Sequence, residues 1–188
     1  MRANLVFRNA IDVASFEDFA QRRGWVFQGH HPPTESSPEE IVWATEKRVG
    51  VHLVDDEVLA ITYLVLESES VSGATSHDVL RVYDAVAGSF GVIESHELVD
   101  LYFGAPEWNS KVLVLMMLAA AASSPSPMIS SVIEDAFASE VSEVRRAAAI
   151  AAMYAPWDTL RGSVEHAARS DTDAETRELA EMALANFD

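Results

Sequence analysis

The chain has no cysteine among its 188 residues. Disulfides, thiolate metal sites and cysteine nucleophiles are therefore excluded at the outset. Cations are also scarce: 13 Lys and Arg stand against 30 Asp and Glu, a formal net charge of −17. Nucleic acids and anionic membranes are bound through Lys and Arg, so this balance argues against both and favours a basic protein partner by electrostatic steering. No apolar run is long enough to cross a bilayer. The longest such stretch, residues 112–122, has the length of a buried helix. The N-terminal stretch lacks the apolar core of a secretory signal, because Asp12 interrupts it early. A cytoplasmic location follows as the expectation.

Motifs of enzymatic chemistry are missing as well. There is no Gly-x-Ser-x-Gly elbow, no Walker-type loop and no Gly-x-Gly-x-x-Gly. The chain is read as non-enzymatic, with no catalytic residues and no cofactor. His30 and His31 are adjacent in a Pro-rich loop, residues 29–38, but no nearby Cys or acid completes a four-ligand set, so no metal is assigned. Asp55-Asp56-Glu57 reads as a hairpin turn, which Asp favours through local hydrogen bonds.

At 49% apolar and 23% charged residues, the composition is that of a folded protein. The first third is β-rich. A short strand is expected at 4–7, a helix at 15–23 capped by Ser15 and closed by Gly24, and strands at 41–45, 49–54 and 58–66. Their spacing suits an antiparallel meander. A polar stretch of small residues, 68–76, marks the boundary between a small α/β domain (1–75) and a helical domain (76–188). Helices are expected at 78–87, 95–103 and 108–122, followed by a Ser-Pro-Ser-Pro break at 124–127.

The C-terminal segment repeats. Arg177 lies 32 residues beyond Arg145 (177 − 145 = 32), and at that offset Glu143 meets Glu175, Ala148 meets Ala180, and Ala151 meets Ala183. Helix 142–155 is apolar over much of its girth, with Ser142 as N-cap, and the last helix opens on Thr172-x-x-Glu175 as a capping box. A period of this size built from helix pairs is the mark of an α-solenoid. The fold class is α+β: an N-terminal α/β part with an antiparallel meander, then a C-terminal α-solenoid.

The pattern Glu140…Glu143-Val144-Arg145…Ala148, repeated as Asp171…Glu175-Thr176-Arg177…Ala180, resembles HEAT or HEAT-like (PBS-lyase-type) repeats over about residues 95–187. The resemblance implies that Arg145 and Arg177 pair with turn acids to tie successive repeats together. It further implies a scaffold for binding other proteins. Glu140, Glu143, Asp171, Asp173 and Glu175 then become candidate partner-binding residues. Trp108 joins them as an aromatic in an inter-helix turn, whereas Trp157 is read as packing.

Two readings of function follow. In the first, the chain is a protein-interaction module such as a bacterial immunity or adaptor protein, presenting acidic helical repeats to a basic partner. In the second, it handles a ligand or chromophore in the manner of a bilin lyase, with Trp43, His52, Asp55 and Tyr63 lining a cleft between the two parts. Beyond these two, a third possibility is that the charge serves only solubility and the α/β part senses a small molecule.

Overall fold

Alternating apolar residues in 41–44, 49–54 and 61–66 can bury one side of a sheet, and three of its strands form there. A computed structural model of the chain describes residues 1–35, 37–68 and 74–187. The chain divides into two compact units, Met1–Glu94 and Ser95–Asp188.

The first unit contains β1 (Arg2–Phe7), α1 (Val13–Arg22), β2 (Val26–His31), β3 (Glu39–Ala44), β4 (Val49–Asp56), β5 (Ile61–Ser68), α2 (Ser76–Phe90) and β6 (Val92–Ile93). The sheet order is β2-β3-β4-β5-β1-β6, and every neighbouring pair is antiparallel. Strands β3 to β5 are the expected meander, and β2 adds a fourth antiparallel strand at its edge. β1 then pairs with β5, Leu5 opposite Leu64. The register shifts between Phe27 and Gly29, so that Phe27 pairs with Trp43 while Gly29 pairs with Val42.

One face of this sheet carries Leu5, Phe7, Trp43, Val51, Leu53, Leu64 and Leu66, all buried. Phe16 and Phe19 of α1 and Val79, Val82 and Val86 of α2 complete the same core. Phe16 is its aromatic centre, with ring centroids 5.4 Å from Trp43 and 5.3 Å from Phe90. Composition places the boundary at 75/76. The packing places it between Glu94 and Ser95, because the apolar stripe of α2 belongs to the sheet. Residues 69–73 of the expected hinge lie outside the described residues.

Local chemistry corrects several boundaries. The α1 N-cap is Asp12, not Ser15. Asp12 accepts from the Ser15 amide at 2.9 Å and from its hydroxyl at 2.7 Å, which holds its carboxyl below the ordinary range. Gly24 follows α1 in the left-handed region, φ 70°. Residues 29–31, expected in a loop, extend β2 because their backbone pairs with β3. β4 runs on through Asp56, and the turn to β5 comes after it. Asp56, 2% exposed, accepts from the amides of Val58 and Leu59 at 3.0 Å each, the local bonding that the hairpin reading called for. α2 begins and ends outside its expected limits. Thr75 and Asp78 form a reciprocal capping box, and Gly91, at φ 66°, closes the helix.

The second unit is helical: α3 (Ser95–Gly104), α4 (Trp108–Ala121), α5 (Pro127–Phe137), α6 (Ser142–Tyr154), α7 (Asp158–Ser170) and α8 (Ala174–Leu184). α6 packs against both α4 and α8, and α5 against both α3 and α7. Small residues permit this. Ala147, Ala148, Ala149, Ala151 and Ala152 of α6 are all buried, so neighbouring helices approach on several sides. In the other row, the Tyr102 hydroxyl of α3 donates to Asp135 of α5 at 3.0 Å, and Ser130 of α5 meets Thr159 of α7 at 3.0 Å. Trp157 is buried at the N-cap of α7, as expected of a packing residue. No helix of the described residues is long and apolar enough to cross a membrane.

Phe16 is fully buried among four aromatic rings. Phe16→Ala removes that centre and should cost about 3 to 5 kcal/mol, read as a lowered midpoint in urea unfolding. Val58→Ala, at a side chain 62% exposed, should leave the midpoint within about 0.5 kcal/mol of wild type.

Candidate functional site

The densest polar constellation lies where the start of α6 faces the turn between α7 and α8. Arg145 sits in the first turn of α6, with its side chain 11% exposed. Its Nε donates to Asp171 Oδ2 at 2.8 Å and its Nη2 to Asp171 Oδ1 at 2.9 Å, a two-bond fork onto a carboxylate that is itself 7% exposed. The remaining donor, Nη1, reaches the carbonyls of Ser139 and Glu140 at 3.0 and 3.2 Å. One guanidinium thus binds the turn before its own helix and the turn before α8.

Arg146 repeats the arrangement one residue on. Its Nε and Nη2 each lie 2.8 Å from an oxygen of Asp173, and its Nη1 is 2.7 Å from Glu175. Asp173 has a second task as the α8 N-cap, accepting from the Thr176 amide and hydroxyl at 2.8 Å each. Arg177 donates to the Asp171 carbonyl at 2.6 Å. These bonds favour the charged forms. The Arg145 fork holds the Asp171 carboxyl below the ordinary range, and Arg146 together with the Thr176 amide does so more strongly for Asp173. The same hydrogen bonds raise both guanidinium groups.

This geometry sorts the residues nominated from sequence. Arg145 pairs with a turn acid, and Arg177 reaches a turn carbonyl instead of a carboxylate. Asp171 and Asp173 are engaged inside the unit, and Glu175, although 60% exposed, is ion-paired to Arg146. Glu140 and Glu143 are exposed, with Glu143 accepting only a 3.1 Å bond from its neighbour Ser142. Two expected caps are corrected. Val141 precedes α6 without any side-chain bond, so Ser142 is not its cap, and Asp173 replaces Thr172 before α8. Arg146 is a residue the repeat offset did not single out, since only Arg145 has a counterpart in Arg177.

Trp108 is 48% exposed at the first position of α4. Leu101 and Phe103, in the last turn of α3, are 50% and 55% exposed, and the intervening Glu107 is exposed too. The apolar pair went unnoticed in the sequence because the α3 pattern reads as an ordinary helix. Its exposure depends on which neighbours pack.

In the first unit, His30 Nε2 lies 2.6 Å from Glu39 on the next strand, and His31 is exposed. Among the described residues no group of three or more His, Asp or Glu side chains could hold a metal ion. His52 is held on both sides, Nδ1 at 2.9 Å from Glu40 and Nε2 at 3.4 Å from Glu67, one carboxylate from each neighbouring strand. Gly50 makes room for this, since a Cβ there would stand 2.8 Å from His52 Nε2. The four residues nominated for a cleft separate by strand parity. Trp43 pairs with Val51 on the core face, and Asp55 alternates with Leu53 and Val51 on that side. His52 and Tyr63 belong to the opposite face. Tyr63 is buried, and burial followed by the Asp56 charge pushes its hydroxyl up to about 12. A surface made of all four residues is therefore corrected: they do not share one.

Arg145→Ala would leave Asp171 buried without its partner and free two turn carbonyls. The expected cost is about 2 to 3 kcal/mol, read by chemical unfolding. Both Asp171 and Asp173 have lowered folded-state values, so their contribution is present above the unfolded carboxyl range and is lost as pH falls through the folded values. Melting temperature should be flat from pH 7 to about 5 and fall below about pH 4. The Asp171→Asn, Asp173→Asn double variant should start lower and show a shallower fall.

Compared with models of protein families, with curated proteins and with solved structures, the chain gives no match.

Proposed function

We propose that residues 95–187 form an α-solenoid of HEAT-like helix pairs that binds a basic protein partner without catalysing a reaction. The observation that carries this reading is the Arg145 fork onto Asp171. It runs from the second helix of one pair to the turn inside the next, the link expected between successive repeats. The side-by-side packing of α4, α6 and α8 and of α3, α5 and α7 supports it.

The binding surface in this reading is the α3–α4 corner. Trp108, Phe103 and Leu101 supply apolar anchors of the kind that dominate interface energetics, and Glu107 and Asp100 supply an acidic rim. A partner with an exposed apolar side chain amid Lys and Arg fits this chemistry. Glu140 and Glu143 add steering charge. Asp171, Asp173 and Glu175 contribute little, being neutralised by Arg145 and Arg146. An immunity or adaptor protein of the cytoplasm is the concrete form of this proposal, with neither nucleic acid nor membrane as partner.

The test is capture from host lysate on tagged protein at low salt, repeated with Trp108→Ala and with Phe103→Ala. A basic protein retained by wild type, released by salt and lost with both variants at unchanged melting temperature is the expected result. Each anchor should weaken binding by at least about tenfold. Retention that survives both substitutions would reject the α3–α4 corner. Recovery of a coloured or small ligand in place of protein would reject the interaction reading.

A further inference from the structure

In a chain so poor in cations, three of them meet at one place in the first unit. Arg23 and Trp25 follow α1, Thr45 and Lys47 belong to the turn between β3 and β4, and Arg81 projects from the second turn of α2. Together they line an open groove of about 200 Å³. Three separate segments of chain build it, and each is anchored. The Arg23 guanidinium lies 4.7 Å from the centre of the Phe19 ring, the Thr45 amide donates to the Val49 carbonyl at 3.0 Å, and α2 is fixed by its capping box.

Among the described residues, none of Arg23, Lys47 and Arg81 makes an ion pair. Two carboxylates share the groove, Glu46 and Asp78. Asp78 accepts from the Thr75 amide at 2.9 Å and its hydroxyl at 2.6 Å, and these bonds, with the nearby charges of Lys47 and Arg81, hold its carboxyl below the ordinary range, so it offsets part of the charge of those two cations. The cations outnumber the carboxylates, so the groove has a positive balance inside a chain of net charge −17. The turn that delivers Lys47 is held in a costly backbone conformation, with Arg48 at φ 58° where glycine is the usual occupant. Trp25 packs against Phe16 and Phe19, with ring centroids 6.3 and 5.4 Å away, and is partly buried, with the rest of its side chain in the lining.

We propose that this groove binds a nucleoside monophosphate or a closely similar aryl phosphate, with the phosphate among Arg23, Lys47 and Arg81 and the ring against Trp25. A carboxylate would be satisfied by one guanidinium fork. A phosphate dianion has three terminal oxygens and suits three cations arriving from different segments. The flat ring recovers the apolar surface of Trp25 and stacks on it. The volume takes a ring and a phosphate, and the open side leaves the sugar in solvent. This site is independent of the helical unit and its partner.

The experiment is isothermal titration calorimetry of the full chain with AMP, adenosine and inorganic phosphate at low and high salt. The expected result is saturable AMP binding that weakens with salt and exceeds that of adenosine and of phosphate by at least about tenfold each. Arg81→Gln and Lys47→Gln should each reduce AMP affinity by about tenfold. Both side chains are exposed, so the melting temperature should not move. Trp25→Leu should erase the advantage of AMP over phosphate while leaving phosphate binding in place. No saturable heat in the low millimolar range, or an AMP affinity unchanged by Arg81→Gln and Lys47→Gln, overturns the proposal. Equal affinity for AMP and phosphate in the wild type also overturns it.

Discussion

The fork between Arg145 and Asp171 determines how the helical unit holds together and which of its charges are available to anything else. Alanine-rich helices pack closely, yet each buried alanine removes little apolar surface, and α6 buries five of them. Such packing does not fix the axial position of one helix against the next. A guanidinium that binds two carbonyls before its own helix and a carboxylate before α8 supplies that register. Arg146 repeats the link through the cap of α8, so the cap and the inter-helix tie share one carboxylate, Asp173. Loss of either guanidinium would disturb the start of a helix as well as a contact.

The sheet unit reaches specificity by a different route. Its core is aromatic, built on Phe16, Phe19, Trp25, Trp43 and Phe90, whose shapes admit few alternative arrangements. α1 and α2 lie over the same face of the sheet, with Phe16 of the one and Val79, Val82 and Val86 of the other in a single cluster. On the opposite face the cross-strand trio Glu40–His52–Glu67 spans β3, β4 and β5, and it depends on Gly50 for room.

What the sequence revealed follows from how local each feature is. The meander was legible because β-branched runs alternate over 41–66 and acidic or basic triplets separate them. The pairing of Arg145 with a turn acid was what the resemblance to HEAT-like repeats implied, and the 32-residue offset on its own supplied only the matched positions. Caps were misplaced wherever two competent residues lie within a few positions: Asp12 and Ser15, or Thr172 and Asp173. Which one caps depends on where the backbone leaves the extended region, and Asp12 and Asp173 are the last extended residues before their helices. The compact units divide after Glu94 and not at the polar stretch for a related reason. A polar, small-residue stretch marks a break in the chain and carries no information about which unit the next helix joins. The stripe Val79–Val82–Val86 fits a helical bundle or a sheet equally well until partners are known.

The acidic excess therefore has two different physical meanings in this molecule. Part of it is internal: Asp171, Asp173 and Glu175 face arginines, and Asp12, Asp56 and Asp78 accept amide or hydroxyl hydrogens at turns and helix starts. Those carboxylates serve the fold, and a partner could recruit them only by breaking bonds already made. Others, among them Glu107, Glu140 and Glu143, are exposed. Exposed charges of this kind act through a field that salt weakens. Among the described residues of the helical unit, Leu101, Phe103 and Trp108 are large apolar side chains left at about half exposure each. The same division runs through the sheet unit. There, the scarce cations of the groove matter because a field set by so many acids would repel an anion everywhere else. An anion that does bind has to be held at short range, by several cations at once, against the potential of the whole chain.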